Sequence, residues 1–498
     1  MMTQRSFYLL FIFSSIALFL WQCHLYPTLN RDGVTYLQGA ALYLSGGVKA
    51  TVALGDQARW PFYSVLIAEV SRWSSLSLLT SAYALDLVFI CLSGLFFLLI
   101  LQTCSRQTVM LWMGALVWLL WHGYSKWWPQ IVRDHGGLSF FLISLYCLLQ
   151  FARYRTFLWA MLWSLALGIA TLFRFEAAIY WCLLPWVFCL AMNAPFSLRL
   201  RCFFQLTSLF GLMCFVMLVL FLTEYISLDS LRFRYIADSA LDYVAIMQHA
   251  YDMYAAHYSD RAPWMIVLRL LWEAIRSFTN VLTFLGLFAL MVYYKVRKDI
   301  NQTLCSPVMI AYLAVSFFVP IAFYLQNFFL NARYILSLCV CLLLLATPAL
   351  VYLVQHRTQH WWTRFACMGL VLVLLCNTVA TLHHFGHAPR NEREAGYWVR
   401  DCLSGRKVFT NAKRVFFYMT DDPAQYAFRE IRAQFLVPFL TEHCQIKSYD
   451  VLVLAGPRSV LDHVYVELHA LHMVGPVMKT FSLSRGAIVI VLPVTANC

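Results

Sequence analysis

The sequence predicts an all-α polytopic membrane bundle of about eleven transmembrane helices, followed by a small α/β domain. Three observations carry that reading. Hydrophobic residues fill 61% of the 498 positions and charged residues only 12%, whereas soluble proteins average about 45–50% and about 25%. Apolar runs long enough, or nearly so, for roughly 30 Å of hydrocarbon recur along the first three quarters of the chain. The last ~115 residues lose this character and alternate strand-like with helix-like patterns. Together these exclude a soluble enzyme, a disordered chain and a disulfide-stapled secreted module.

The spans fall near residues 6–25, 79–101, 108–123, 136–152, 157–173, 177–193, 203–223, 277–294, 305–325, 334–354 and 364–383. The stretch 265–276 is too short and too charged to span and is placed at the interface. The first run, Phe7 to Trp21, is followed by no small-residue cleavage site after Cys23, so it reads as a retained span. Charge sets the orientation. With the N-terminus cytoplasmic, the inner segments hold Arg5, Arg106, Arg153, Arg155, Arg199, Arg201, Lys295, Arg297, Lys298, Arg357 and Arg364 against Asp299 alone. This is the positive-inside pattern, and it accounts for the net charge of +13 without a nucleic-acid partner. Most of the 16 cysteines, among them Cys91, Cys147, Cys182, Cys214, Cys339 and Cys341, lie inside apolar runs as small hydrophobes. No zinc-type Cys/His spacing is present.

An odd number of spans places the C-terminus outside. Residues 1–383 then form a transmembrane domain, with outer loops at 24–78 and 223–264, and residues 384–498 a soluble extracytoplasmic α/β domain. Its strand-like runs are Lys407–Thr410, Asp450–Ala455, Met478–Phe481 and Ala487–Leu492, separated by helical patterns at Glu392–Arg400 and Val460–His472. No Gly-rich phosphate loop opens these helices, so a nucleotide is not expected. Cys402 and Cys444 are both in this domain, and their spacing leaves open whether they are bridged.

Long outer loops are where chemistry is expected. In the first, apolar residues at Val34, Leu37, Ala41 and Leu44 follow Asp32 at helical spacing. A second helix opens at Trp60-Pro61, with an apolar stripe of Phe62, Val65, Leu66, Val70 and Trp73. Both helices read as interfacial. Asp32 either caps its helix or is a carboxylate poised to take a proton from an acceptor hydroxyl. Glu69, on the second helix's apolar stripe, belongs to the site or pairs with an arginine.

The segment Arg31-Asp32-Gly33…Tyr36 after the first span, then Trp60-Pro61-Phe62-Tyr63, resembles the GT-C glycosyltransferases, and within them the protein O-mannosyltransferase and aminoarabinose transferase superfamily. Those proteins carry an acidic residue in the first outer loop and then a His-Pro-Pro-Leu-Tyr-like stretch. Here Gly33 replaces the Glu of an Asp-Glu pair and Trp-Pro-Phe-Tyr replaces the second motif. The resemblance implies an integral-membrane glycosyltransferase that moves a sugar from a polyprenyl-phosphate donor to an extracytoplasmic acceptor, inverting the anomeric carbon. Asp32 is the expected base, with Tyr63 and Glu69 among the residues lining the substrate.

Before the fourth span stands Lys126-Trp-Trp-Pro-Gln-Ile-Val-Arg133-Asp134. Arg133 and Asp134 match the family's Arg-Asp position; Arg133 or Lys126 would meet phosphate and Asp134 orient it, or the pair would only bridge and cap. Arg174 and Glu176 sit where the chain re-enters the membrane and either pair together or wall a lipid-phosphate cavity. Asp86, inside the second span, is expected to partner an arginine of another helix. Arg333-Tyr334 opens the tenth span like the family's Arg-Tyr pair, and Arg333 is expected on the phosphate leaving group, where a guanidinium binds bidentately. Arg232, Arg234, Tyr235, Asp238, Asp242, His249, Asp252, His257 and Asp260 in the second loop read as a solvated helix face. His383, His384 and His387 mark a membrane exit. No cofactor and no metal are assigned, though the departure from the family motif leaves a divalent metal open.

Two rival classes stand beside this reading. A transporter or flippase predicts internal repeats and helices broken at the midplane, which the sequence does not display. A non-catalytic scaffold that binds lipid-linked sugar fits the same composition. The sole glycosylation triplet, Asn301-Gln302-Thr303, lies on the cytoplasmic side, which points to a bacterial inner membrane with a periplasmic C-terminal domain.

Overall fold

A computed structural model of the chain describes residues 4–54, 60–105, 107–222, 262–298, 306–327, 330–383, 390–420, 436–442, 449–482 and 487–495. The helices run in order as α1 (Gln4–Leu25), α2 (Arg31–Ala53), α3 (Phe62–Ser74), α4 (Leu78–Cys104), α5 (Thr108–Leu120), α6 (His122–Ser125) and α7 (Asp134–Tyr154). They continue as α8 (Phe157–Phe173), α9 (Ala177–Ala191), α10 (Phe196–Leu222), α11 (Ala262–Val296) and α12 (Pro307–Asn327). A 3₁₀ turn, Ala332–Ile335, leads into α13 (Leu336–Gln355), and α14 is Trp361–His383. A helix overlaps each of the eleven segments expected to span. Seven stretches, Gln4–Leu25, Leu78–Thr103, Asp134–Tyr154, Leu271–Val296, Pro307–Tyr324, Ala332–Gln355 and Trp361–His383, are long and apolar enough to cross a membrane. The apolar helices α5, α8 and α9 are shorter. Most of the outer loop at 223–264, with all of its polar candidates, and His384, His387, Asn301 and Cys444 lie outside the described residues.

The chain groups into two compact units, one of residues 1–23 with 84–384 and one of 24–83 with 385–498. The expectation joined the first outer loop to the spans. By contacts, residues 24–83 group with the C-terminal residues, Pro27–Thr35 being bonded to the helices at 390–402 and 413–419.

In the first unit, buried polar side chains tie apolar helices together. The Tyr312 hydroxyl bridges Ser144 (2.8 Å) and the Trp163 indole (3.1 Å), and Ser139 donates to the Phe89 carbonyl at 2.6 Å. Such bonds hold helices that hydrophobicity alone cannot sort inside a lipid. Asp86 is fully buried.

Two departures from the expected spans share one cause. The 108–123 run breaks at Trp121 (φ −72°, ψ 82°), and α11 runs straight through 265–276 but breaks at Thr283, whose φ of 58° and ψ of −179° leave the helical region. A β-branched residue at positive φ is strained, and the break deprives nearby carbonyls of their helical partners. The Trp121 indole donates to Val281 O at 2.6 Å, and Lys126 Nζ donates to Asn280 Oδ1 at 2.7 Å and to Asn280 O at 3.2 Å. Thr283 Oγ1 reaches Asn377 Oδ1 at 3.3 Å. The two interruptions interlock, side chains at the first supplying donors to the carbonyls freed at the second. Gly123 makes the approach possible, since a Cβ there would stand 1.6 Å from Val281 O.

In the second unit, α2 is two helical pieces joined at Gly47, whose φ of 70° is open to glycine. The second piece folds back, so that Thr51 Oγ1 donates to Gly39 O at 3.0 Å. The C-terminal part holds α15 (Arg390–Cys402), β1 (Val408–Thr410), α16 (Lys413–Met419), α17 (Leu436–Glu442), β2 (Val451–Pro457), α18 (Arg458–Ala470), β3 (Lys479–Ser482) and β4 (Ala487–Pro493). The strands lie in the order β1-β2-β4-β3, with β1 parallel to β2 and the other pairs antiparallel. The period of two sorts the core. Leu452, Leu454, Ile488, Ile490 and Leu492 face Leu461, Val464 and Leu468 of α18, while Val451, Val453, Val489 and Val491 face Ala395 and Val399 of α15 and Val415 of α16.

Because the neighbour of Gly123 is backbone, Gly123→Ala must displace α11. Overpacking costs about 1–3 kcal/mol, and the thermal midpoint of the purified variant in detergent is expected to fall accordingly.

Candidate active site

The charged residues of the first unit meet at helix ends. α7 begins at Asp134, but no side chain caps it: Arg133 occupies the cap position with helical angles and no cap bond. Asp134 is engaged elsewhere. Its Oδ1 accepts from Arg174 NH1, and its Oδ2 accepts from Arg333 NH1 at 3.4 Å. The carboxylate, 5% exposed, is thus bracketed by two guanidiniums from positions 40 and 199 residues further on.

Each partner arrives through a local break. Arg174 ends α8 in an extended conformation (φ −138°, ψ 112°), which turns its side chain back across α7. Gly136 and Gly137 clear the way, because a Cβ on Gly136 would lie 2.4 Å from the Phe173 ring and one on Gly137 would press on the Arg174 stem at 3.2 Å. Arg174 Nε also reaches Glu176 Oε2 at 3.4 Å, and its guanidinium lies over the Tyr334 ring at 4.3 Å. Arg333 enters from the 3₁₀ turn before α13, which Asn331 starts by accepting from the Arg333 backbone N–H at 3.2 Å. Burial alone would raise the Glu176 carboxyl, yet Arg174 overrides it and holds the group below the usual carboxylate range. One terminal nitrogen of Arg133 is buried with no hydrogen-bond partner among the described residues.

Asp134, Arg174, Glu176, Arg333 and Tyr334 line a pocket whose remaining wall includes Leu138, Phe141, Val319, Leu336 and Ser337. Tyr180 also lines it, its hydroxyl bonded to Ser316 at 3.0 Å and Ser337 at 2.7 Å. The lining holds two guanidiniums and two carboxylates, and Arg133, outside the lining but acting electrostatically on both carboxylates, brings the local balance to an excess of one positive charge. The chamber is apolar along one side and cationic at the other, which suits an anion that carries a hydrocarbon chain.

Of the sequence candidates, Asp134, Arg174 and Arg333 come together here, and Arg133 lies next to Asp134 outside the lining. Lys126 is engaged at the α11 break and packs over Trp127 at 4.9 Å; burial pushes its ammonium from the ordinary 10.5 down to about 8. Asp32, Tyr63 and Glu69 belong to the second unit. Asp32 is the second residue of α2, and the cap position is held by Asn30, without a side-chain cap bond, so the expected capping role is corrected. An acid in a helix's first turn still complements its dipole. Tyr63 is buried edge-on against Tyr36, with ring centres 5.0 Å apart. Glu69 accepts from Arg72, one turn along α3, at 3.0 Å. The sequence reading did not reach Tyr180, Ser316 or Ser337, whose signal was only single polar atoms spaced along apolar spans. Among the described residues no group of three or more His, Cys, Asp or Glu is arranged to hold a metal.

Fold and site define a multi-pass helical membrane protein with a cation-rich chamber set into its bundle and a small mixed-sheet domain. No protein-family model matches the sequence, and no curated protein matches it. Solved structures do match along nearly the whole chain. ArnT from Cupriavidus metallidurans in the apo state aligns over 97% of both chains, with a TM-score of 0.52 and 13% identity. The archaeal oligosaccharyltransferase AglB from Archaeoglobus fulgidus, in complex with an inhibitory peptide and a dolichol-phosphate, aligns over 98% of this chain and 74% of its own, with a TM-score of 0.51 and 11% identity. Both are GT-C glycosyltransferases, and this chain has the GT-C fold that its first outer loop suggested.

Removing one partner of a buried ion pair strands the other, at a cost of about 3–5 kcal/mol. Arg174→Gln is expected towards the lower end, because Arg333 still holds Asp134, and the loss is read as a fall in thermal midpoint. Lys126 gives a pH signature. Between about 8 and 10.5 the unfolded chain keeps a proton that the folded chain has released, so stability rises with pH across that window. Lys126→Met is expected to flatten the rise in midpoint measured from pH 8 to 10.

Proposed function

We propose that the protein is an integral-membrane glycosyltransferase that moves a sugar from a polyprenyl-phosphate donor to an extracytoplasmic acceptor, a glycolipid, glycan or protein. The observation that carries the reading is the Asp134 carboxylate held between Arg174 and Arg333 on the wall of a half-apolar cavity. The dolichol-phosphate bound to AglB, a protein of the same fold, supports a lipid-phosphate ligand.

In this reading the acceptor oxygen attacks the anomeric carbon as the bond from that carbon to the phosphate oxygen breaks. The electron pair leaves with polyprenyl phosphate, the acceptor's proton passes to Asp32, and the carbon inverts. The barrier lies in charge gathering on the departing phosphate and in removing the proton. Arg333, Arg174 and Arg133 are fixed cations in a water-poor chamber, where such groups stabilise developing charge most strongly. Asp134 keeps two of them in place and, together with Glu176, limits the resting excess to a single charge that the phosphate neutralises. Basic residues concentrated in the alternate loops support a cytoplasmic N-terminus and a periplasmic C-terminal domain in a bacterial inner membrane.

The test is incubation of the purified protein with undecaprenyl-phosphate hexoses and pentoses, following release of undecaprenyl phosphate. Asp32→Asn is expected to slow release by about 10²–10⁴ in a protein that stays folded, its stability lower only by the acid's helix-dipole contribution of about 0.3–1 kcal/mol. A folded Asp32→Asn protein with full turnover would overturn the base assignment. Movement of the intact donor across vesicles without phosphate release would identify a flippase, and binding without either would identify a scaffold.

A further inference from the structure

The second unit joins two parts of the sequence that lie almost four hundred residues apart, and the junction falls on the residues just before and after Asp32. The extended segment entering α2 is gripped at successive carbonyls and amides. Arg393 of α15 donates to Pro27 O at 3.1 Å. Leu29, 2% exposed, is held on both sides of its backbone: its N–H donates to the Tyr418 hydroxyl at 2.9 Å, and its carbonyl accepts from Arg414 Nε at 2.7 Å. Arg414 is itself steadied by Glu392 at 3.2 Å. One turn into α2, Lys413 Nζ donates to Thr35 Oγ1 at 2.5 Å, and that hydroxyl donates on to Arg31 O at 3.3 Å.

The last contact runs against helix electrostatics. A cation at the N-terminal turn of a helix meets the positive end of its dipole and is disfavoured. Asp32 lies three residues before Thr35, on the same helix face, and brings into that turn the negative charge that makes an ammonium acceptable. Arg414 and Tyr418 follow Lys413 along α16, so one short helix of the C-terminal domain fixes both the entry segment and the first turn of α2.

We propose that the α/β domain is a working part of the acid's site, with α16 clamping the entry to α2 and Lys413 acting as the positioning residue for Asp32. The inference rests on the reading of Asp32 as the base, and it assigns the domain a role in setting that residue's place.

Amide hydrogen exchange of the full-length protein in detergent tests the clamp without any substrate. Lys413→Met is expected to speed exchange across residues 31–38 by about tenfold or more, with β2 and β4 unchanged, and Lys413→Arg is expected to restore protection. With undecaprenyl-phosphate hexoses and pentoses as donors, Lys413→Met is expected to lower kcat by about ten- to a hundredfold with KM for the donor unchanged. Native exchange at 31–38 in Lys413→Met overturns the proposal. So does full turnover by Lys413→Met when Asp32→Asn is inactive, a result that leaves the functional reading standing. Full turnover by Asp32→Asn has the opposite meaning: the base assignment fails, and the exchange data still decide whether the clamp exists.

Discussion

A carboxylate buried among membrane helices is tolerable only if its charge is met, and in this protein Asp134 is met twice. The two arginines that bracket it come from the ends of other helices, so the ion cluster fixes how α7, α8 and the turn before α13 approach one another. Taking these ions out of water costs several kcal/mol each, which a purely structural contact between apolar helices would not require. Under the proposed function the arrangement is preorganisation: the guanidiniums are held in place before the lipid phosphate arrives, and their charge is nearly balanced beforehand.

The same economy governs the interrupted helices. Thr283 is strained and its neighbours' carbonyls are deprived of helical partners, yet Trp121 and Lys126 take up those carbonyls from a second interruption in the chain. Backbone that leaves the helical pattern at such a place persists only where the surrounding protein supplies the missing hydrogen bonds. Gly123 is the enabling residue, since any side chain there would occupy the space of a carbonyl oxygen.

Much of this was legible in the residues because the signals were local. Length of apolar run, loop charge and the alternation in Val451–Pro457 and Ala487–Pro493 each name an element without reference to any other. Arg133, Asp134, Arg174 and Arg333 were equally visible, since ionisable groups at the ends of apolar segments are conspicuous. What could not be read was pairing. Glu176 and Asp134 compete for Arg174, and only the extended conformation at Arg174, with Gly136 and Gly137 opposite, settles which oxygen it reaches first. Asp32 looked like a cap because Asp is among the best capping residues, but the helix starts at Arg31 and Asn30 holds that position, without a side-chain cap bond. Lys413 gave no sign at all: it is one lysine in a soluble stretch, and its meaning arises from a contact 378 residues distant in sequence.

A common rule underlies where the candidate residues sit. Asp134 is the first residue of α7, Arg174 ends α8, Glu176 precedes α9, Arg333 lies in the turn before α13, and Asp32 is in the first turn of α2. None is in the middle of a span. A charge in mid-span must be matched against hydrocarbon, whereas a charge at a helix end has polar backbone beside it and a path to water. Helix ends are also where the backbone can change direction within one or two residues, so a side chain can be aimed across the bundle instead of along its own helix. A fold built from long apolar helices therefore has few places to do polar chemistry, and it uses the same places for both needs: the ends satisfy the charges, and the charges decide which ends come together.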